Sequence, residues 1–237
     1  MSTKLDYYFQ KRDKFPIENF FDGISEAYEI LHKAKIYLKE HIAEPGVKEN
    51  YAEIRGDAPE LYGNYFIGEG TVIYNGVTVI GPVYIGKNCE IMPGAVIRPN
   101  TIIADGCSIG HGSELKHCVL FGGAKIASLA FAGDSVLGAS ARIGSGAITA
   151  NRKFDQTNAV LKLGETRIDL GDSFFGCILG DSARLGANAV TQPGTHIGPY
   201  SWIFPLTNVR GFVPARKRVY HAHKTLMEEN AVVELKP

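Results

Sequence analysis

The chain has 237 residues, 27 of them glycine, with 25 basic (Lys+Arg) and 25 acidic (Asp+Glu) side chains. That length suits one extended domain with appendages, and a net charge of zero argues against nucleic acid as the main partner. No run reaches the ~20 apolar residues a membrane span needs, and residues 1–16 (MSTKLDYYFQKRDKFP) lack the apolar core of a signal peptide, so a cytoplasmic protein without a membrane partner is expected.

Residues 16–43 read as helical. Ile17, Phe20, Phe21, Ile24, Tyr28, Leu31, Tyr37, Leu38 and Ile42 recur at helical spacings, and Pro45-Gly46 stops the run. Residues 1–60 are therefore expected to form a helical cap on the end of the next domain or on a neighbouring subunit.

From Ile67 the chain repeats every six residues: Ile67, Ile73, Val79, Ile85, Ile91, Ile97, Ile103, Ile109, Leu115. The beat returns as Leu137 and Ile143, then as Leu179, Leu185, Ile197, Ile203 and Val209, often with Gly next. Six matches neither the helical period nor plain strand alternation. A fixed short period of this kind indicates a hexapeptide β-helix, each unit a short strand and a tight corner. The fold class expected is mainly β, a left-handed parallel β-helix over residues 61–212. The beat residue fills the shaft. The residue four later is small in most units (Thr71, Cys89, Ala95, Cys107, Ala141, Ala183) and shares the interior. Glycine or a polar residue at the corners is expected to tolerate the tight turns and unusual backbone angles. With three units per coil, Cys89 stacks on Cys107 and Arg98 on Lys116, ~4.8 Å apart.

Two irregularities interrupt the beat. Leu115 and Leu137 are 22 residues apart, which predicts a bulge within 121–133. Residues 151–172 break the pattern altogether and read as a loop ejected from the shaft, a feature that is usually functional or disordered. After the shaft, residues 213–237 carry Arg216-Lys217-Arg218 and then a short predicted helix. The basic run is either a solvated surface or a phosphate contact. The four cysteines show no C-x-x-C spacing, so buried thiols are expected and no metal site.

Ile91 to Val213 contains PGAVIRPNTII, IGHGSELKHCVL, AFAGDSVLG, IGSGAITANRKFD and ILGDSARLGANAVTQPG. In order and spacing these resemble the acetyltransferase half of the bifunctional N-acetylglucosamine-1-phosphate uridylyltransferase/glucosamine-1-phosphate acetyltransferase family, especially the archaeal-type sugar-1-phosphate nucleotidylyltransferase/acetyltransferases. The nucleotidyltransferase half has no counterpart in these residues, so uridylyl transfer is not expected of them. The resemblance implies a homotrimer with sites between neighbouring shafts, acetyl-CoA as cosubstrate, and a hexosamine phosphate or nucleotide sugar as acceptor. A separately encoded nucleotidyltransferase is a further partner it suggests.

Residue by residue, the resemblance makes Arg98 the sugar-phosphate arginine, Lys116 the lysine of the E-x-K motif with Glu114 its acid, and Asn151 the asparagine opening the sugar-binding loop. Ala187 falls on the CoA groove, and Arg216 and Lys217 are candidate cofactor contacts. Stacking supports the Arg98/Lys116 pair independently, as two cations one coil apart that clamp a phosphate. Two positions depart from the pattern. The family's catalytic histidine is Ser128 here, with Phe131 in place of tyrosine, and the asparagine of N-[LI]-G-A-G is Arg142. A replacement base is then needed, since losing one forfeits ~10²–10⁴ in rate. His111, at a corner four residues after Cys107, is the first candidate; His117 and His196 come next. Three readings stay open: a CoA-dependent acyltransferase, a non-catalytic sugar-phosphate-binding trimer, and a purely structural trimer.

Overall fold

The computed structural model describes residues 2–12 and 15–221; the helix expected after Arg218 lies outside them. Three parallel sheets of nine, nine and eight strands wrap the chain into a left-handed β-helix. The first face runs from Lys48–Asn50 to Phe212–Val213, the second from Glu53–Arg55 to Arg218–Val219, the third from Glu60–Tyr62 to Asn208–Val209. Strands thus extend beyond 61–212 at both ends. We call these the covered, basic and site faces, after what each one carries.

Every beat residue from Ile67 to Leu115 is fully buried, and so are Thr71, Val77, Ala95, Ala141 and Ala183 at the small inward position. Cys89 and Cys107 lie side by side inside the shaft, as their 18-residue spacing requires, and all four cysteines are free. Ile67 pairs with Ile85 and Ile85 with Ile103, the full three-unit coil.

The expected bulge does not exist. Ile103 pairs with Leu120, Leu115 with Ala132 and Leu120 with Leu137, so the coils here are shorter by one residue instead of longer. Inward positions on the site face become Ala132, Thr149 and Thr191, which hides the beat from a search for branched aliphatics. A buried polar knot replaces apolar packing there. Thr149 Oγ1 accepts from Gly133 N (2.9 Å) and Ser135 Oγ (3.0 Å), and Ser135 Oγ accepts from Cys177 N (3.0 Å).

The glycines after the beat are not there for unusual backbone angles; it is the next corner residues that turn left-handed, as at Asn100 (φ 64°) and Ser140 (φ 57°). Those glycines are needed because coils approach closely. A Cβ on Gly110 would stand 2.5 Å from the Ala127 carbonyl carbon.

The N-terminal helical reading is corrected in extent and in place. A four-residue helix α1 (Leu5–Tyr8) precedes α2 (Glu29–Leu38), which ends in one wide turn at Lys39–Ala43. Residues 16–28 are turns, with left-handed Asn19 and Gly23 breaking any helix. This segment does not close the end of the shaft. It lies along the covered face, where Phe9, Phe15, Phe20, Leu31 and Leu38 pack on Ile102, Phe121, Val119, Val136 and Ile178. Tyr7 Oη accepts from Ala215 N (2.8 Å) in a late coil, so the segment reaches far along that face.

The ejected segment leaves after Thr149 and forms a hairpin, Val160–Leu163 against Thr166–Asp169, before the chain re-enters at Cys177. Leu161 and Ala159 are fully buried, so it folds back onto the body.

Candidate functional site

The edge where the site face turns into the covered face brings together Arg98, Lys116, His117 and Asn151. Arg98 and Lys116 leave the ends of consecutive site-face strands. The chain then turns at left-handed His117 (φ 51°) and, one coil on, at left-handed Asp134 (φ 45°). Asn151 begins the ejected segment directly above.

Asp134 is the hub. Its side chain is 3% exposed and accepts from His117 Nδ1 (2.8 Å), Asn151 Nδ2 (2.5 Å) and Lys116 Nζ (3.2 Å). Burial works to raise its pKa, but the hydrogen bonds from His117 and Asn151 and the Lys116 charge outweigh it and hold the carboxyl below its ordinary value. Gly133 makes the corner possible. A Cβ there would lie 2.6 Å from Asn151 Nδ2 and 2.7 Å from Phe131 Cε1.

His117 is a strut and not a base. It is buried, with Nδ1 on Asp134 and Nε2 on the Leu31 carbonyl of α2 (3.1 Å), so neither nitrogen is open to a substrate. The N-terminal segment thereby becomes a wall of the site, and Lys35 of α2 joins it, 3.5 Å from Asp172. Phe174 closes the other side, its ring 4.1 Å from Lys116 Nζ and 4.8 Å from Arg152 Cζ. These groups surround an open cleft of about 270 Å³.

Arg98 and Lys116 lie one coil apart, as the stacking predicts, and each already has an acidic partner. Arg98 Nη1 donates to Glu114 Oε1 at 2.7 Å, both side chains about 40% exposed. Such a surface pair is worth ~0–1 kcal/mol, so an anion can displace Glu114. Lys116 is held more firmly by the buried Asp134. Phe131 stands beside Glu114 on the site face, in strand register.

The remaining candidates sit elsewhere. His111, Ser128 and Ala187 occupy the opposite edge, where the basic face turns into the site face. They form one column: Leu129 N donates to His111 O and Gly146 N to Ser128 O, and Leu206 N donates to Ala187 O. One strand, about five residues or ~16 Å long, separates His111 from Lys116. One protomer therefore does not bring them together. His111 is exposed, and its Nδ1 lies 2.8 Å from the Pro93 carbonyl. A carbonyl only accepts, so Nδ1 is the donor, and in the neutral tautomer with this bond Nε2 is the acceptor. Ser128 is half-buried at its corner. Arg142 is exposed in a ladder with Lys125 and Arg184 that gives the basic face its name. Arg216 and Lys217 lie on the third edge, away from Ala187, with the Arg216 guanidinium 5.1 Å from the Tyr200 ring centroid. His196 is fully buried on the covered face between Tyr8 and Phe175; burial lowers its pKa to about 4.

Sequence reasoning missed Asp134, Phe174, Lys35 and Leu31. Asp134 had a signal, a Gly-Asp pair at a predicted corner. Phe174 and Lys35 come from segments outside the repeat and carry no periodic mark, and the helical spacing of Leu31 does not say which surface it covers.

Residues 79–191 match the family described as the GMPPB C-terminal domain. The chain is 36% identical over 149 residues to a bifunctional sugar-1-phosphate nucleotidylyltransferase/acetyltransferase of Sulfurisphaera tokodaii, covering 63% of this chain and 37% of that protein. The chain thus spans well under half of that relative's length. It is 34% identical over 185 residues to a putative uncharacterized acetyltransferase, YaiX, of Escherichia coli, covering 78% of this chain and 79% of the relative. Among solved structures, the polysialic acid O-acetyltransferase OatWY aligns with a TM-score of 0.46 at 20% identity, covering 78% of this chain and 92% of that one. With its own coils and corners accounted for, the chain belongs to the hexapeptide-repeat acetyltransferase family, which includes the acetyltransferase half of the bifunctional sugar-1-phosphate enzymes.

Proposed function

We propose that the protein is a CoA-dependent acyltransferase that acetylates the amine of a hexosamine phosphate or nucleotide-linked amino sugar. The observation that carries this reading is the edge cleft, lined by Arg98, Lys116 and the buried Asp134 that also holds Asn151, in a member of an acetyltransferase family. Arg98 exchanges its surface partner Glu114 for the sugar phosphate. Asp134 fixes the Lys116 ammonium and the Asn151 amide so that both present defined hydrogen bonds to the sugar.

The reading includes a homotrimer, because each half of the chemistry sits on a different edge. The covered face is occupied by the N-terminal segment, while the basic and site faces expose Trp202, Phe204, Ile148 and Leu129. Packing the His111 edge of one shaft beside the Lys116 edge of its neighbour unites base and phosphate clamp. His111 Nε2 then accepts the proton as the amine attacks the thioester carbonyl, a corner N–H stabilises the oxyanion, and the CoA thiolate leaves and is protonated.

Ser128 at the family's histidine position favours a second reading, a trimer that binds sugar phosphate without turnover beside a separate nucleotidyltransferase. Calorimetry with glucosamine 1-phosphate tests the site common to both. Arg98→Ala and Lys116→Ala should each weaken binding by ~1.5–3 kcal/mol; unchanged affinity in both would remove the site. A Ser128→His variant that alone releases CoA thiol would decide for the second reading.

A further inference from the structure

A second cleft, larger and more strongly charged, lies between the ejected hairpin and the last coils. It measures about 690 Å³ and is lined by Lys153, Lys162, Arg167 and Arg210, with Val160 and Phe212 among its apolar walls. No carboxylate is among the described residues that line it. Lys153 lies 3.4 Å from exposed Asp155. Lys162, Arg167 and Arg210 have no ion pair among the described residues.

The hairpin register sharpens this. Lys162 stands directly opposite Arg167, and Val160 opposite Asp169. Like charges directly opposed across two strands are destabilising, and a single exchange would remove the conflict. Asp169 offers no relief, since its carboxylate is occupied by Asn158 Nδ2 (3.3 Å) and Gly171 N (2.8 Å). Leu161, on the opposite side of its strand, is fully buried and anchors the hairpin, while Val160, Lys162 and Arg167 share the cleft with the shaft residues Gln192, Asn208 and Arg210. There Arg210 meets it from the site-face edge. Three uncompensated cations around one opening suit a ligand with at least two negative charges. The volume is in the range of small-molecule pockets and exceeds what a lone phosphate fills, and Val160 and Phe212 offer apolar surface for a ring.

We propose that this cleft binds a nucleoside 5′-diphosphate, with its phosphates between Lys162, Arg167 and Arg210 and its base against Val160 and Phe212. Two sources share that chemistry, a nucleotide-linked sugar and the nucleotide end of CoA. The inference rests on the charge and shape of this cleft; only the CoA source depends on the acyl-transfer reading.

Titration of the full-length protein with UDP, CoA, pyrophosphate and adenosine tests it. UDP or CoA should bind, and adenosine should not. Lys162→Glu should weaken that binding about tenfold or more, the consequence of ~1.4 kcal/mol, while thermal stability holds or rises because Glu faces Arg167. Arg210→Gln, outside the hairpin, should weaken binding in the same direction without depending on hairpin folding. Stronger binding of UDP than CoA assigns a nucleotide-sugar source, and the reverse assigns CoA. Pyrophosphate binding as tightly as either nucleotide would refute the nucleoside assignment. Absence of binding, or binding that neither variant changes, would overturn the proposal. Nucleotide binding without any acyl transfer would defeat the acyltransferase reading and leave this one standing.

Discussion

His196 offers a quantitative test of how the N-terminal segment is attached. Its ring is fully buried, Nδ1 lies 3.2 Å from the Gly194 carbonyl, and Nε2 has no hydrogen-bond partner among the described residues. Burial lowers its pKa from an ordinary 6.5 to about 4. Above pH 6.5 neither folded nor unfolded chain holds the proton there, and the stability associated with neutral His196 is fully present. As pH falls below 6.5 the unfolded chain binds a proton that the folded chain refuses, and stability falls by ~1.4 kcal/mol per pH unit. The loss is complete below about pH 4, on the order of 3 kcal/mol in all, and is roughly 2 kcal/mol at pH 5. Urea unfolding at pH 7.5 and pH 5, at one protein concentration because assembly contributes to stability, measures it. The comparison is with His196→Leu, in which every other histidine still titrates. At pH 7.5 the variant should lie within ~1 kcal/mol of wild type, since it loses one hydrogen bond and removes one unpaired buried nitrogen. At pH 5 it should be the more stable protein. Parallel losses in the two proteins would refute the buried neutral histidine, and with it the packing of Tyr8 over this part of the shaft.

Asp134→Ala should destabilise by ~3–5 kcal/mol, because it leaves Lys116 and His117 without the carboxylate they share; chemical denaturation measures this, and a loss below 1 kcal/mol would deny the hub. Gly133→Ala should cost ~1–3 kcal/mol by pressing Asn151 and Phe131 apart, and should weaken sugar-phosphate binding in the same calorimetric assay. All four thiols should resist a thiol reagent in the native state and react together on denaturation, because every one is buried and burial pushes Cys177 up to about 12; rapid native labelling would place a cysteine outside the shaft.

The architecture was legible because its physics is periodic. Ile67 through Leu115 mark the interior by chemistry alone, and arithmetic in eighteens put Cys89 beside Cys107. The same arithmetic failed after Leu115, where the shaft substitutes Ala132, Thr149 and Thr191 for branched aliphatics and two successive coils are one residue short. A hydroxyl inside the shaft, as at Thr149, looks like a surface residue in the sequence. Helical spacing over 16–43 recorded a buried stripe, but left-handed turns at Asn19 and Gly23 divide it, so only Glu29–Leu38 is helix. Spacing also carried no information on which surface the stripe covers. That is why Leu31 and Lys35 were not foreseen in the site. Arg98, Lys116 and Asn151 were readable from stacking and motif. Asp134, the common partner of Lys116 and Asn151, was not, since its role depends on Lys116, His117 and Asn151 converging on a buried corner.

Release of CoA thiol from acetyl-CoA, measured with a panel of amino-sugar phosphates and nucleotide-linked amino sugars, tests the central claim most directly. Thiol release matched by acetylated product is expected for at least one acceptor. Arg98→Ala should lower kcat/KM about tenfold or more, as the loss of a charged hydrogen bond implies. His111→Ala should lower kcat by ~10²-fold while leaving sugar-phosphate binding nearly intact. No thiol release from the wild-type protein with any acceptor it is shown to bind would contradict the account.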